Sequence, residues 1–377
     1  MSDPIYLDFN ATTPLLPEVV EAMRPYLEVH FGNPSSGHVY GRRAKAAVEL
    51  ARGQLAALLH CEPDELLFTS GGTESNNLAI LGLTGARPAS RVVVTSVIEH
   101  PATTGPIAAL AADGWRAVRL GVDGAGVAVL PDALPSGAFA SLMHSNNETG
   151  VLQPVAALAA LARRADALVH TDASQSVGKV PVEVRALDVD ALTVCGHKLY
   201  APKGVGALYV RRGLALKPFL LGASHERGLR PGTENVASIV GLGAAAQVAA
   251  RTLAVEARRV EALREQLWQE LAAAMPELAV NGAGAPRLPN TLSLRFPRVS
   301  GAALLAAAPQ LAASTGSACH DGHETASAVV LAMGVPAAEA EGTVRLSLGR
   351  STTEAQVGVA AEALITAWRG LVASQAR

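Results

Sequence analysis

The chain has 377 residues, 49% of them hydrophobic and 4% aromatic, and a formal net charge of −2. That length exceeds the usual reach of one hydrophobic core, so two domains are expected, and so apolar and alanine-rich a composition excludes a disordered chain. Neither sign of charge is gathered into a long block, so no nucleic acid and no anionic membrane surface is expected as a partner.

The first residues, Met1-Ser2-Asp3-Pro4-Ile5-Tyr6-Leu7-Asp8, lack a basic stretch followed by an apolar one, and no secretory signal is expected. In chain order, helical stretches at 42–59, 74–83, 101–112 and 155–165 alternate with short β-branched runs. Those runs lie at 65–69, 91–96, 116–120, 140–144, 167–171, 191–194 and 206–210. Such alternation implies βαβ units and an α/β fold around a mainly parallel sheet. The apolar stretch from about Ser238 to Ala250 is too short and Gly-rich to span a bilayer. Within it, Gly241-Leu242-Gly243-Ala244 lies in an expected helix with no strand before it, which argues against a dinucleotide fingerprint. After about Ala254 the pattern changes to a helix at 256–273, a strand at 290–296 and a helix at 301–312. A helix near 325–333, a strand at 343–348 and a terminal helix from Thr353 complete a smaller α/β unit. Cys61, Cys195 and Cys319 are odd in number and unrelated in spacing, so a disulfide framework is not expected and a reducing cytoplasm is.

In open sheets of this kind, ligands collect at the carboxyl ends of the strands. Five polar clusters fall at those ends: Ser70-Gly71-Gly72-Thr73-Glu74, Glu99-His100, Asn146-Asn147-Glu148, Asp172 and His197-Lys198. An apolar strand ending in an acid, beside another ending in His-Lys, suits a pyridoxal phosphate site. The Lys198 amine can form a Schiff base with the aldehyde, and the Asp172 carboxylate can keep the pyridine nitrogen protonated. On spacing alone, Asp172 as a helix cap and Lys198 as a solvated loop cation stay open. The strand–Gly-Gly–helix turn at Gly71-Gly72 and the Thr73 hydroxyl suit a phosphate dianion, because a helix start exposes backbone N–H groups. It is no nucleotide P-loop, since no Gly-Lys-Ser/Thr follows, and Gly178-Lys179 is followed by Val180.

Cys319 lies in Ser314-Thr315-Gly316-Ser317-Ala318-Cys319-His320-Asp321-Gly322-His323, a loop of small residues before a helix. Neighbouring histidines or a helix N-terminus would favour its thiolate. A metal site from Cys319, His320 and His323 matches no standard zinc spacing and lacks a fourth ligand.

With these motifs assembled, the chain resembles the cysteine desulfurases of the NifS/IscS type, in the class-V aminotransferase group, and also the sister selenocysteine lyases. The resemblance runs nearly end to end, through Tyr6-Leu7-Asp8-Phe9-Asn10-Ala11-Thr12-Thr13-Pro14, Gly32-Asn33-Pro34-Ser35-Ser36, 69–77, 146–150, 170–178, 196–209, 225–235, 316–319 and 345–353. It implies a fold-type-I pyridoxal phosphate enzyme, with a large domain (16–253) around a seven-stranded sheet. Residues 1–15 and 254–377 would form a small domain carrying the Cys319 loop. It also implies a homodimer, L-cysteine as substrate and a sulfur-acceptor protein as partner.

Carried across position by position, the resemblance makes Lys198 the Schiff-base lysine and the base that moves the α-proton. Asp172 would bind the pyridine nitrogen, Gln175 and Asn147 the phenolic oxygen side, and His100 would stack on the ring. Gly72, Thr73 and His197 would bind the phosphate, with Thr233 reaching it from a partner subunit. Arg350 would pair with the substrate carboxylate, assisted by Asn10 or Asn33, and Cys319 would accept the sulfur as a persulfide. Cys195 stands where many members carry a serine, so a phosphate hydroxyl contact is missing. Ala223-Ser224 and Ala326 depart from a Gly-Gly and a Pro, and Ala-Cys-His is shared with selenocysteine lyases. L-selenocysteine therefore stays open as substrate. A class-V aminotransferase would not need Cys319, and a mere docking scaffold would not need Lys198, Asp172, His100, Cys319 and Arg350. Iron–sulfur scaffolds and tRNA-thiolation proteins are both open as acceptors.

Overall fold

The structure, a computed structural model, describes residues 3–86, 90–316 and 326–375. It opens with a short strand β1 (Ile5–Tyr6) and two helices, α1 (Pro17–Glu28) and α2 (Val39–Leu59). Pro17 stands in the first turn of α1, where its fixed φ is already helical and its missing N–H is not needed.

A seven-stranded sheet follows, built from β2 (Leu66–Thr69), β3 (Val92–Ser96), β4 (Arg116–Leu120), β5 (Phe139–Ser141), β6 (Leu168–Asp172), β7 (Ala191–Cys195) and β8 (Gly206–Val210). Their spatial order is β2-β8-β7-β6-β5-β3-β4; β8 is antiparallel to both neighbours and every other pair is parallel. The expected sheet is therefore present with all seven of its strands. Every residue of β2, β6 and β7 is buried. Covered on both faces, such strands read as continuous apolar runs rather than alternations. Strand β4 forms an edge, and Arg116 and Arg119 on it are exposed charges that discourage pairing with another chain. Helices α3 (Gly72–Ala86), α4 (Pro101–Ala112), α5 (Val155–Arg164) and the short α6 (Val184–Leu187) make the connections.

Helix α7 (Val236–Ala274) is 39 residues long and joins the helix expected at 256–273 to the helical stretch expected around Gly241–Ala244, and Asn235 caps it by accepting from the Ser238 N–H. The expected boundary between 253 and 254 falls inside this one helix. Its first half contributes Ile239, Leu242 and Ala246 to a core with Val48, Leu55, Phe68, Val169 and Leu192. Its second half contributes Leu263, Leu267 and Leu271 to another core with Leu7, Leu294, Phe296, Leu346 and Leu364. By length and composition α7 and the last helix could each cross a membrane, but 56% of the most apolar window of α7 is buried inside the protein.

Beyond α7 come β9 (Ala279–Val280), β10 (Thr291–Arg295), α8 (Gly301–Ala306), β11 (Leu311–Ala312), α9 (Ala328–Ala332), α10 (Ala337–Ala340), β12 (Thr343–Ser347) and α11 (Glu354–Gln375). Strands β12, β10 and β9 form an antiparallel sheet, and β1 pairs in parallel with β11. The helix expected over 301–312 thus stops at Ala306, because Leu311 and Ala312 pair with Ile5 and Tyr6 instead. That pairing returns the N-terminus to the far end of the chain and lays residues 8–13 across the end of the large sheet.

Candidate active site

Asp172 closes β6 and is buried. Its Oδ1 accepts from the Ser174 N–H at 2.9 Å, and its Oδ2 accepts from Asn76 Nδ2, on α3, at 2.7 Å. Asn76 also donates to Thr103 Oγ1 at 3.2 Å, while its own Oδ1 is buried with no partner. The carboxylate is thus fixed from two elements, by one backbone N–H and one buried side-chain amide.

Lys198 ends the tight turn Gly196–Lys198 directly after β7, the neighbour of β6 in the sheet. Its amine donates to the carbonyl oxygen of Asn10 and, at 2.7 Å, to that of Ala11. Burial lowers its pKa, and Arg345 lowers it further against the opposing effects of Cys195, Asp8 and Asp172. His100 caps α4, its Nδ1 accepting from the Ala102 N–H at 3.1 Å, so in the neutral ring the proton sits on Nε2. Burial and then Lys198 favour that neutral ring over the pull of Asp172.

The Gly-Gly turn expected to hold an anion leads from β2 into α3. Gly71 has φ +148°, a conformation only glycine adopts readily, and a Cβ there would point into open space. A Cβ on Gly72 would press on Ser174 Oγ at 3.1 Å and Cys195 Cβ at 3.3 Å. The Cys195 thiol therefore lines the base of this turn, held protonated by burial although the Gly72 N–H and Lys198 oppose it. Thr73 is exposed on the first turn of α3. Glu74 ties the turn down, accepting from the Ser70 N–H at 2.8 Å and from Arg230 Nε at 2.8 Å. His197 meets Thr12 Oγ1 at 3.1 Å; burial, Lys198 and Lys203 push its pKa to about 4, so it is neutral. Thr233 is exposed in the segment before α7.

Asn10 is the hub of the opposite wall. Its carbonyl accepts from both Lys198 and Gln175 Nε2 (2.9 Å), and its side chain donates to Thr291 Oγ1 (2.8 Å) and the Asn147 carbonyl (3.3 Å). Two cations that sequence reading did not assign stand here. Lys179 donates to Asn10 Oδ1 at 3.0 Å and to Gln175 Oε1 at 2.9 Å. Arg345, on β12, donates to the Asn147 carbonyl at 2.9 Å and to Asp8 Oδ1 at 2.7 Å, with its Nε buried and unpartnered. Arg350, expected near the substrate, instead lies 5.6 Å from the Tyr200 ring and donates to Thr252 Oγ1 at 2.6 Å. Asn33 caps its own turn, accepting from the Ser35 N–H at 2.9 Å, with an exposed side chain. Cys319 lies outside the described residues. The local string around Arg345 could have signalled it: Thr343, Arg345 and Ser347 share one face of a strand by alternation.

The arrangement combines a fixed carboxylate, an amine of lowered basicity, a neutral imidazole, a helix start open to an anion and an arginine with a free donor. Comparison with known proteins agrees. The aminotransferase class-V family matches residues 5–359. A cysteine desulfurase of Trichormus azollae is 43% identical over 359 residues, covering 94% of this chain and 90% of that protein. The cysteine desulfurase NifS of Azotobacter vinelandii is 44% identical over 363 residues, with the same coverage of 94% and 90%. Among solved structures, a NifS-like protein superposes with TM-score 0.89 at 33% identity, over 96% of this chain and 98% of that one. SspA in complex with cysteine superposes with TM-score 0.80 at 32% identity, over 91% and 98%. The chain belongs to the class-V aminotransferase family, whose fold is that of pyridoxal phosphate-dependent enzymes, and within it is similar to cysteine desulfurases of the NifS type.

Proposed function

We propose that this protein is a pyridoxal phosphate-dependent cysteine desulfurase, which converts L-cysteine to L-alanine and carries the sulfur as a Cys319 persulfide to an acceptor protein. The observation that carries the reading is the pairing of buried Asp172 with Lys198 on adjacent strand ends, beside a helix start open to an anion. The residues fit the cofactor. Asp172 suits a ring nitrogen that must stay protonated, and the Gly71-Gly72 turn with His197 suits its phosphate. The buried, unpartnered Asn76 Oδ1 and Arg345 Nε are the kind of atoms a bound group completes. When bound, pyridoxal phosphate supplies an aldehyde for the Lys198 amine and a ring that draws electrons from the substrate's α-carbon.

Around that ring, this chain's own residues divide the work. Lys198, its basicity lowered by burial, gives up its proton more readily than an ordinary lysine and moves the α-proton. His100 caps the recess as a neutral ring with a proton to share on Nε2. Arg345 rather than Arg350 is proposed to pair with the substrate carboxylate, since its guanidinium is among the Asn10 and Asn147 contacts and keeps one N–H free. Asn10 and Asn147 border that position. The Cys319 thiolate attacks the substrate sulfur; the new S–S bond forms as the C–S bond breaks, and alanine leaves after protonation of its β-carbon. Relatives named as cysteine desulfurases and a similar structure with bound cysteine support cysteine as substrate. We further infer a homodimer, with Thr233 serving the partner's phosphate.

The test is alanine formation from L-cysteine and L-selenocysteine by wild type and C319A protein supplied with pyridoxal phosphate. Wild type is expected to make alanine from cysteine. C319A is expected to lose that activity while keeping the yellow absorbance of bound cofactor. Alanine from selenocysteine alone, surviving loss of Cys319, would replace the desulfurase by a selenocysteine lyase.

A further inference from the structure

We propose that Lys179 is a positioning residue that sets which end of the Gln175 side-chain amide faces the active site. The inference rests on the reading of this recess as a pyridoxal phosphate site. The two ends of a carboxamide are nearly alike in shape and opposite in hydrogen-bond polarity, so its neighbours decide its orientation. At one end of Gln175, Lys179 Nζ lies 2.9 Å from Oε1; at the other, Nε2 donates to the Asn10 carbonyl at 2.9 Å. A backbone carbonyl can only accept, and the lysine brings N–H groups, so both neighbours enforce the same polarity. Lys179 orients Asn10 in the same way, reaching its Oδ1 at 3.0 Å, where Asn290 also donates at 3.0 Å. One N–H of Gln175 Nε2 is left over for the cofactor's phenolic oxygen.

The position is a costly one for a lysine. Lys198, Arg345 and the Cys195 thiol are the titratable groups around it, and no acidic side chain pairs with it among the described residues. Burial and those two cations push its amine well below the ordinary lysine range. The amine carries an N–H for each of the two oxygens it meets. Holding two amide oxygens in place is the return the geometry offers for that burial.

The measurement is a pH titration of the yellow band of the holoenzyme, with pyridoxal phosphate affinity from tryptophan fluorescence quenching, in wild type, K179M, K179R, Q175L and the double variant K179M/Q175L. A donor to the phenolic oxygen competes for the electron density that holds the neighbouring nitrogen's proton. Its loss should move the colour transition of K179M up by about one pH unit and weaken cofactor binding roughly tenfold. K179R should restore most of both, Q175L should reproduce the shift, and K179M should add nothing on top of Q175L. A K179M transition equal to wild type, or a shift undiminished in the Q175L background, overturns the proposal. Lost thermal stability with an unmoved transition would mean a structural role alone and overturns it too. If K179M does not fold, K179Q, which keeps a polar end without a forced donor, is expected to show a partial shift under the same criteria. A wild type that takes up no pyridoxal phosphate overturns the functional reading itself, which a flat K179M response beside a normally coloured wild type does not.

Discussion

At the scale of single residues, the buried acid Glu99 shows how the site shapes its neighbours. It precedes His100 and is enclosed, its carboxyl 2.5 Å from Ser96 Oγ and 3.0 Å from the Met143 N–H that it accepts. Burial, aided by the charge of Asp172, raises its pKa from 4.5 to about 8 despite those hydrogen bonds. The folded protein therefore keeps this proton up to about pH 8, whereas the unfolded chain releases it near 4.5. Between those values the unfolded state binds fewer protons, so stability falls as pH rises, and it is flat on either side. A glutamine in its place could keep its oxygen where Glu99 Oε1 accepts from both the Ser96 hydroxyl and the Met143 N–H, without titrating. E99Q is thus expected to remove a decline of about 3 kcal/mol between pH 5 and 8. Thermal unfolding of both proteins across that range checks it, and parallel profiles would count against the buried-acid account. Asp172, His100 and Lys198 were legible in the sequence because each ends an apolar run where a strand end faces solvent. Lys179 and Arg345 were not, because their roles depend on residues 8–11 lying across the sheet, a contact between chain positions about 170 and 340 residues apart. Asn76 was not, because its role is a contact with Asp172, 96 residues along the chain.

Among the elements, the buried strands were plain in the sequence because their side chains meet core on both faces. The two-residue strands β1, β9 and β11 were invisible, since pairing and not local preference makes them strands. Only the second half of α7 was bounded as a long helix in the sequence, although the stretch at Gly241–Ala244 also read as helical. Its first half carries Gly241 and Gly243, poor helix formers, and tertiary packing explains them. A Cβ on Gly241 would stand 2.7 Å from Met23 Sδ, and one on Gly243 would stand 2.6 Å from Ala51 Cα and Cβ. These glycines let α7 lie directly on α1 and α2, with backbone where a side chain would otherwise stand. Alanine at 243 should gain about 1 kcal/mol in helix propensity. The clash with the α2 backbone costs about 1–3 kcal/mol and should win, so G243A is expected to be destabilised by up to about 2 kcal/mol. Gly53, on α2 with open space around it, is the control: G53A should be stabilised. Urea unfolding of the two variants distinguishes helix propensity from packing, and a stabilised G243A would refute the close-crossing explanation.

For the whole molecule, the surface left uncovered indicates what the chain does beyond its own fold. Phe31 is 82% exposed and stacks on exposed Tyr40, with ring centroids 5.5 Å apart, and Leu27, Val29 and Val39 are exposed around them in sequence. Leu221, at 89%, is exposed beside Phe219 and Leu220 in the segment leading to Thr233. Single apolar residues on a surface need no explanation, but a run of them with a stacked aromatic pair is characteristic of an interface. A cavity of about 700 Å³ lies between these stretches, bordered by Pro34 and Ser35 on one side and by residues 223–227 on the other. The loop at that second side is anchored from within. Glu226, at φ +44°, grips Arg52 at 2.7 Å and accepts from the Phe68 N–H at 2.9 Å, so the segment toward Thr233 starts from a fixed point on β2. A loop anchored at φ +44° beside exposed apolar side chains would suit the surface of a partner. If a second copy covers it, F31D placed at the centre of the aromatic pair should convert a dimer to a monomer in analytical ultracentrifugation. Monomeric F31D should also bind pyridoxal phosphate roughly tenfold more weakly, because each phosphate would lose the partner's Thr233, a hydrogen bond to a charged group. A wild type that sediments as a monomer, or an F31D monomer with unchanged cofactor affinity, would leave Thr233 without a role across the interface and assign phosphate binding to the chain's own Gly71-Gly72 turn.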